Sequence, residues 1–259
     1  MKTLNKGEGS NRFRYQSFRE RVETLQVTTA LRKVGKQGAL DEIETSYFHD
    51  ALTRWRDLNL SATYKEFIIR VLPLSNSLAQ LLYHQKDIVD LLDTYITRAD
   101  SLALEPLLDL TTMLAKDLQS EFYPFYPRLL RSILDLLRFR DVQVVEWTFH
   151  CIAYLYKFLA NDIVLQPLDT YRMISPYLGA QEVRSYIRRF TAQSFAYLLR
   201  RTRGKPLSIL IAGIMEDVRL HPSTAYVEGV AELFFEAVRS VDHHLHSRTA
   251  ILLRDILAS

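Results

Sequence analysis

Apolar and polar positions follow a helical period through most of the chain, and the clearest case is the stretch 182–201. Its apolar or small residues recur every three or four positions, at Val183, Tyr186, Ile187, Phe190, Ser194 and Leu198. Arginines occupy the opposite side of the same helical wheel, at Arg184, Arg188, Arg189 and Arg200. Since no glycine or proline interrupts the stretch, the pattern predicts a continuous amphipathic helix that must bury one face against neighbours.

The neighbours of this helix are predicted to be copies of it. Trp147 aligns with Phe190 at an offset of 43 residues, and Ala192 aligns with Ala231 at an offset of 39. A helical repeat of about 40 residues is typical of HEAT and armadillo proteins, in which helical hairpins stack side by side. The sequence therefore predicts an all-α chain folded as an α-solenoid of HEAT/armadillo-like helical hairpin repeats.

Further helical patterns fill the rest of the chain. Ser61 and Asp141 are candidate N-caps, Pro73 ends a helix, and Pro106 is tolerated in the first turn of another. The predicted helices span 41–58, 61–72, 87–96, 104–119, 128–139, 141–159, a weaker 162–178 interrupted by prolines, 182–201, 207–218, 225–238 and 245–257. We expect residues 1–40 to form a basic extension and loop and residues 41–259 to form the solenoid. Because the last helical pattern stays apolar, we expect the solenoid to continue beyond this chain in a longer protein.

Charge is distributed unevenly along the chain. The formal net charge is +3, yet residues 1–36 carry a net +6 and residues 183–205 carry a net +7, so the remainder is acidic. Two basic regions on an acidic body suit contact with phosphates or with acidic partner segments. Alternatively, the arginines only keep exposed helix faces soluble. The candidate RNA or partner contacts are Arg12, Arg14, Arg19, Arg21, Arg184, Arg188, Arg189, Arg200, Arg201, Arg203 and Lys205.

The aromatic residues have two interpretations. In the segment 12–27, Phe13, Tyr15 and Phe18 are interleaved with arginines, a pattern that suits stacking on nucleic acid. We favour the alternative, in which this segment docks its aromatic side chains onto the first repeat. The aromatic residues between 147 and 197 recur at helical spacing, so we expect them to pack between repeats rather than to form a base-stacking platform.

The sequence offers little chemistry for catalysis or metal binding. His243, His244 and His246 lack a cysteine partner and the spacing of a zinc site, so we interpret them as part of a solvated turn. Cys151 is the only cysteine and has apolar and aromatic neighbours, which predicts a buried, unreactive thiol and a reducing compartment. No glycine-rich phosphate loop or nucleophile elbow occurs in the sequence. We therefore expect no enzyme activity, no catalytic residue, no metal site and no cofactor.

Several unusual aromatic strings occur along the chain in a specific order. They are “FRYQSFRERV” near the start, “RWRDLNL” at 54–60, “LLYHQKDIVDLL” at 81–92, “LEPLLDLTTMLAKDLQSEFYPFYP” at 104–127 and “VVEWTFHCIAYLYKFL” at 144–159. Together they resemble the N-terminal region of the DRIM (down-regulated in metastasis) family, the very large HEAT-repeat component of the small-subunit processome and its U3 small nucleolar ribonucleoprotein. The resemblance covers about residues 11–201 and is weakest around Gly35 and beyond Gly204.

The resemblance implies a scaffold of the nucleolus or nucleus that supports processing of pre-ribosomal RNA toward 18S rRNA and assembly of the small subunit. The implied partners are pre-ribosomal RNA and processome proteins, with no small-molecule substrate, no membrane and no homo-oligomer. Two other hypotheses remain open: a HEAT-repeat transport or trafficking adapter, and a HEAT-like DNA glycosylase with one carboxylate and aromatic side chains around a flipped base. Reversing Arg188, Arg189 and Arg200 to glutamate is expected to leave folding intact and to weaken binding of RNA or an acidic partner.

Overall fold

A computed structural model describes residues 17–18, 21, 46–59, 61–98, 101–139, 141–179, 183–239 and 249–257. Within these ranges the chain consists of helices and short connections without a β-strand, which confirms the all-α prediction. The helices are α1 (Tyr47–Leu58), α2 (Ala62–Val71), α3 (Leu78–Tyr83), α4 (Gln85–Arg98), α5 (Ser101–Leu118), α6 (Tyr126–Asp135), α7 (Val142–Phe158), α8 (Ala160–Ile163), α9 (Pro167–Ile174), α10 (Pro176–Gly179), α11 (Ser185–Arg201), α12 (Gly204–Leu220), α13 (Thr224–Val238) and α14 (Thr249–Leu257). Short 3-10 turns span Leu72–Leu74, Gln119–Phe125 and Leu136–Arg138.

The helices pack as two layers. One layer runs through α1, α5, α7, α11 and α13, and each of these helices contacts the next. The other layer runs through α2, α4, α6, α9, α12 and α14 in the same manner. Helices α7, α11 and α13 begin at residues 142, 185 and 224, so their spacing reproduces the offsets of 43 and 39 residues in the sequence. Stacked helical hairpins of this kind form an α-solenoid, as predicted.

Polar side chains set the residue at which several helices begin. Asp141 Oδ1 accepts a hydrogen bond from the backbone N–H of Gln143 at 2.8 Å, and Ser61 Oγ accepts one from Tyr64 N–H at 3.3 Å. Each bond satisfies a backbone donor that has no partner inside the helix. The N-caps predicted at Ser61 and Asp141 are therefore confirmed. Side chains that cap other helices in the same way are Ser46, Ser77 and Ser223.

The prediction that Pro106 lies in a first turn is wrong, because α5 begins at Ser101 and Pro106 lies inside it. A proline within a helix has no N–H for the carbonyl four residues earlier, which here belongs to Leu102. Asn59 supplies a donor instead, since its side-chain Nδ2 donates to the Leu102 carbonyl oxygen at 2.7 Å. The connection between α1 and α2 thus compensates for the break in the hydrogen bonding of α5.

The remaining helix bounds follow the sequence with small differences. The weak region at 162–178 is divided into α8, α9 and α10, and the breaks fall at the prolines as expected. Helix α3 was not predicted, because six residues are too few to show a helical period. Gly204 has a φ of 59°, in the left-handed region that favours glycine, and it begins α12 rather than a turn before it. The loop at Gly35 and the three histidines lie outside the described residues.

Aromatic side chains fill the core. Phe149 of α7 stacks on Phe190 of α11 with ring centroids 3.9 Å apart and an interplanar angle of 11°. Both rings are buried, so these aromatics pack between consecutive repeats as expected. Cys151 of α7 is buried as well, and burial raises the pKa of its thiol. This is the buried thiol that the sequence predicts.

Candidate partner-binding surface

The N-terminal segment contributes two buried side chains, Phe18 and Arg21, to the groove between α7 and α11. The Phe18 ring is 2% exposed, and its centroid lies 5.2 Å from that of Tyr197 and 5.9 Å from that of Phe190. The backbone N–H of Phe18 also donates to Gln193 Oε1 at 3.2 Å. An aromatic side chain in such a groove removes apolar area from water, and its burial therefore stabilises the position of Phe18 against α7 and α11.

Arg21 is fully buried beside Phe18. One of its guanidinium nitrogens lies 2.7 Å from Glu146 Oε1, and the guanidinium carbon lies 5.4 Å from the centre of the Phe149 ring. Burial of an arginine requires such a paired charge, and the flat guanidinium suits an aromatic face. Arg21 also affects the imidazole of His150. Burial lowers the pKa of this imidazole, and the positive charge of Arg21 lowers it further.

This placement corrects two expectations from the sequence. The aromatic docking that we favoured is present at Phe18, but it occurs on α7 and α11 and not on the first repeat. Arg21 is an internal anchor, so we do not retain it as a candidate contact for RNA or a partner. The other candidates of this segment, Arg12, Arg14 and Arg19, lie outside the described residues, and their proposed contacts stay a prediction.

The arginines on the outer face of α11 meet carboxylates of α13. Arg188 lies 3.7 Å from Glu232 and 3.9 Å from Glu228, and Arg189 lies 3.7 Å from Glu232. Arg189 is 60% exposed, whereas the Arg188 side chain is 33% exposed and faces the neighbouring helix. The positive charge counted along the sequence is therefore partly neutralised in the fold.

Arg200 also contacts α13. Its Nη1 donates to the backbone carbonyl of Glu236 at 2.6 Å, and burial lowers the pKa of its guanidinium while the Glu236 carboxylate opposes that shift. The same carboxylate accepts two hydrogen bonds from Arg239, at 3.0 and 3.1 Å. Arg200 therefore holds the end of α11 against α13. Its reversal to glutamate would place a negative charge beside a carbonyl and a carboxylate, contrary to the expectation that folding stays intact.

Three basic side chains remain exposed where α11 meets α12, namely Arg201, Arg203 and Lys205, and we call them the turn cluster. The described part of the chain places no carboxylate within ion-pair distance of them. The guanidinium carbon of Arg201 lies 3.8 Å from the centre of the Tyr197 ring, which holds its side chain along the helix surface. Arg184, at the other end of α11, is half-buried and donates to the Tyr186 hydroxyl. Among the described candidates, the turn cluster therefore combines exposure with the absence of a carboxylate partner.

The sequence did carry a signal for this neutralisation. Glu228, Glu232 and Glu236 of α13 recur every four residues, which places them on one face of a helix. The offset of 39 residues that aligns Ala192 with Ala231 sets that face beside α11. The net charge of the stretch 183–205 does not include these glutamates, because they belong to the neighbouring repeat.

A small hollow lies between α1, α5 and α7. It has a volume of about 240 Å³ and is lined by Trp55, Trp147 and Tyr154 together with Glu105 and Asp109. Asp109 Oδ2 is already engaged, since it accepts hydrogen bonds of 2.6 Å from both Arg54 and the Trp55 indole. With two carboxylates the hollow differs from the basic cleft with a single carboxylate that the glycosylase hypothesis requires. The described side chains contain no group of three or more potential metal ligands.

None of the described helices has both the length and the apolar composition needed to traverse a lipid bilayer.

No family model matches the chain, whereas individual proteins do. The chain is 35% identical over 251 residues to the U3 small nucleolar RNA-associated protein 20 of Schizosaccharomyces pombe. It is 31% identical over 255 residues to the protein of the same name from Saccharomyces cerevisiae. Each match includes 96% of this chain but 10% of the relative, so the chain spans about a tenth of the length of the relatives it matches. The similarity thus extends across both layers of the solenoid.

Proposed function

We propose that this chain is part of a non-catalytic helical-repeat scaffold of the small-subunit processome, in the DRIM family that its aromatic strings resemble. One observation carries the proposal: the chain is similar over 96% of its length to two proteins named for association with the U3 small nucleolar RNA. The proposed role is to support processing of pre-18S rRNA and assembly of the small ribosomal subunit in the nucleolus.

The architecture supports a scaffold because a solenoid exposes a long surface for its size. Pre-ribosomal RNA and assembly factors are the proposed partners, held by many contacts along that surface rather than by one pocket. The turn cluster is the proposed RNA contact, since Arg201, Arg203 and Lys205 present exposed positive charge at one end of α11. Such contacts fix the position of RNA and add affinity without reading its sequence.

The test is made on the full-length protein that contains this chain, in its own cells. Ultraviolet crosslinking followed by sequencing of the bound RNA is expected to place this part of the protein on pre-ribosomal RNA. Depletion is expected to cause precursors of 18S rRNA to accumulate while precursors of the large-subunit rRNA mature normally. Normal 18S maturation after depletion, together with absence of the protein from purified pre-ribosomes, would contradict the proposal.

A further inference from the structure

A wide groove lies between the end of α6, the α9–α10 corner and the start of α11. Its volume is about 1020 Å³. The lining combines apolar and charged side chains, and its apolar members include Leu134, Leu137, Val183 and Ile187. Phe139 stands at the edge of this groove and is 50% exposed. Covering the apolar lining and the exposed ring with another apolar group is favourable, because it removes apolar area from water.

The rim of the groove is basic. Arg131, Arg138 and Arg184 line it, against one carboxylate, Asp135. Asp135 lies 3.4 Å from Arg138, and both side chains are more than half exposed, so this pair is held loosely. Arg131 is exposed and has no carboxylate within ion-pair distance in the described ranges. The rim therefore carries an excess of two positive charges around an apolar floor.

The chain itself shows how a groove between its repeats takes up a short segment. Between α7 and α11, an aromatic side chain, Phe18, fills the apolar groove, and a charged neighbour three residues later, Arg21, pairs with a carboxylate of the wall. The groove beside α6 offers the same combination with the charges exchanged. An apolar side chain would fill its floor, and carboxylates would pair with the arginines of its rim.

We propose that this groove binds a short segment of a protein partner in which apolar side chains are flanked by glutamate or aspartate. The inference uses the shape and charge of the groove alone and does not depend on the proposed role in the processome. A peptide is favoured over RNA because bases stack on exposed aromatic faces, whereas the described lining offers one well-exposed aromatic ring, Phe139, beside four aliphatic side chains. The Tyr177 ring offers little free face, since it is buried at 9% exposure and its hydroxyl donates to the Leu134 carbonyl at 2.8 Å.

The proposal is tested by fluorescence anisotropy with a short fluorescein-labelled peptide that alternates glutamate and leucine. The protein is the chain 1–259, after circular dichroism has shown that each variant has the helical content and melting temperature of the parent. Saturable binding is expected, and the double variant Arg131→Glu/Arg138→Glu is expected to weaken it about tenfold or more. Phe139→Ala is expected to weaken it without changing its salt dependence.

The matched control is Arg56→Glu/Arg70→Glu, which changes charge equally at exposed positions of α1 and α2, and it is expected to bind as the parent does. A peptide with serine in place of leucine is expected to bind more weakly than the alternating peptide. Equal losses in the groove variant and the control, or no saturable binding by the parent, would overturn the proposal. Preference for labelled oligouridylate over the peptide, lost in the groove variant, would overturn it in favour of RNA.

Discussion

Asp117 joins α5 to the start of α1 through a buried carboxylate. Its two oxygens accept hydrogen bonds from the backbone N–H groups of Tyr47 and Phe48, at 3.1 and 2.8 Å. Burial raises the pKa of Asp117 to about 6, and the two backbone donors oppose that shift without cancelling it. A carboxyl with a higher pKa in the folded state binds its proton more tightly there than in the unfolded chain.

The first prediction is that Asp117→Asn reduces the loss of stability between about pH 4 and pH 6. In the parent, proton binding by the Asp117 carboxyl stabilises the folded state fully at pH values below its ordinary pKa of 3.8. This stabilisation is lost as the pH rises through about 6. Asparagine does not titrate, so the variant is expected to gain stability relative to the parent as pH rises. Urea melts across this pH range measure the effect. Asp57→Asn, at a side chain that is 70% exposed, is the control. A parallel pH profile for the parent and the Asp117 variant would refute the assignment.

Gly229 lies where α13 closely approaches the backbone of Leu178 in α10. A Cβ atom at Gly229 would lie 2.1 Å from the Leu178 carbonyl oxygen, a backbone atom that cannot rotate away. In an open helix, alanine would be more stable than glycine by about 1 kcal/mol. Here the steric conflict is the larger effect, because contacts below 3.0 Å force the backbone to shift.

The second prediction is that Gly229→Ala destabilises the fold by about 1 to 3 kcal/mol, the usual range for overpacking a core. Chemical denaturation of the variant and the parent measures this difference. The matched control is Gly213→Ala, whose added Cβ would meet the end of the flexible Leu168 side chain at 2.6 Å. A smaller loss is expected there. If the two variants prove equally stable, the close approach of α10 and α13 is not as tight as described.

At the scale of elements, Phe18 and Arg21 pack against α7 and α11, which lie more than 100 residues later in the sequence. The third prediction concerns this anchor. Phe18→Ala is expected to cost about 3 kcal/mol, because a buried aromatic ring is lost from between two helices. It is also expected to speed cleavage by trypsin near the N-terminus, since the apolar contacts of Phe18 with α7 and α11 are lost.

Limited proteolysis followed by mass spectrometry locates the cleavage, and urea melts measure the stability. Phe235→Ala removes an aromatic ring that is 57% exposed, so its melting curve and cleavage pattern are expected to match those of the parent. Unchanged cleavage of Phe18→Ala would show that the segment does not depend on this ring for its position.

The sequence predicts those features of the elements that local chemistry determines. Helical periodicity placed α7 and α11 to within a few residues, and the N-caps at Ser61 and Asp141 were found because a cap acts on its own first turn. The donor that Asn59 provides to the Leu102 carbonyl was not predictable, since it joins residues 43 positions apart. The same limit applies to the site. The turn cluster lay within a predicted basic stretch, but the pairing of Arg188 with Glu232 depends on how two repeats pack.

At the scale of the whole molecule, the two layers convert a basic stretch of sequence into a surface of mixed charge. Arg188, Arg189 and Arg200 are engaged by α13, whereas the turn cluster projects from the junction of α11 and α12. The proposed RNA contact uses exposed cations of the second kind, because a cation that is already paired must first lose its partner. Substitutions of the exposed and of the paired arginines of α11 are therefore expected to differ in their effects on RNA binding.

The fourth prediction is that reversing the turn cluster (Arg201→Glu, Arg203→Glu and Lys205→Glu) weakens binding of single-stranded RNA without loss of fold. The variant loses up to three contacts with phosphates of single-stranded RNA. The slope of log affinity against log salt concentration is therefore expected to become shallower by about 2. Filter binding of labelled oligouridylate at several salt concentrations measures the slope, and thermal melts measure the fold. Arg56→Glu, Arg70→Glu and Lys86→Glu together give the same change in net charge at exposed sites of α1, α2 and α4. An equal fall in slope for both triple variants would show that net charge, and not the position of the turn cluster, governs RNA binding.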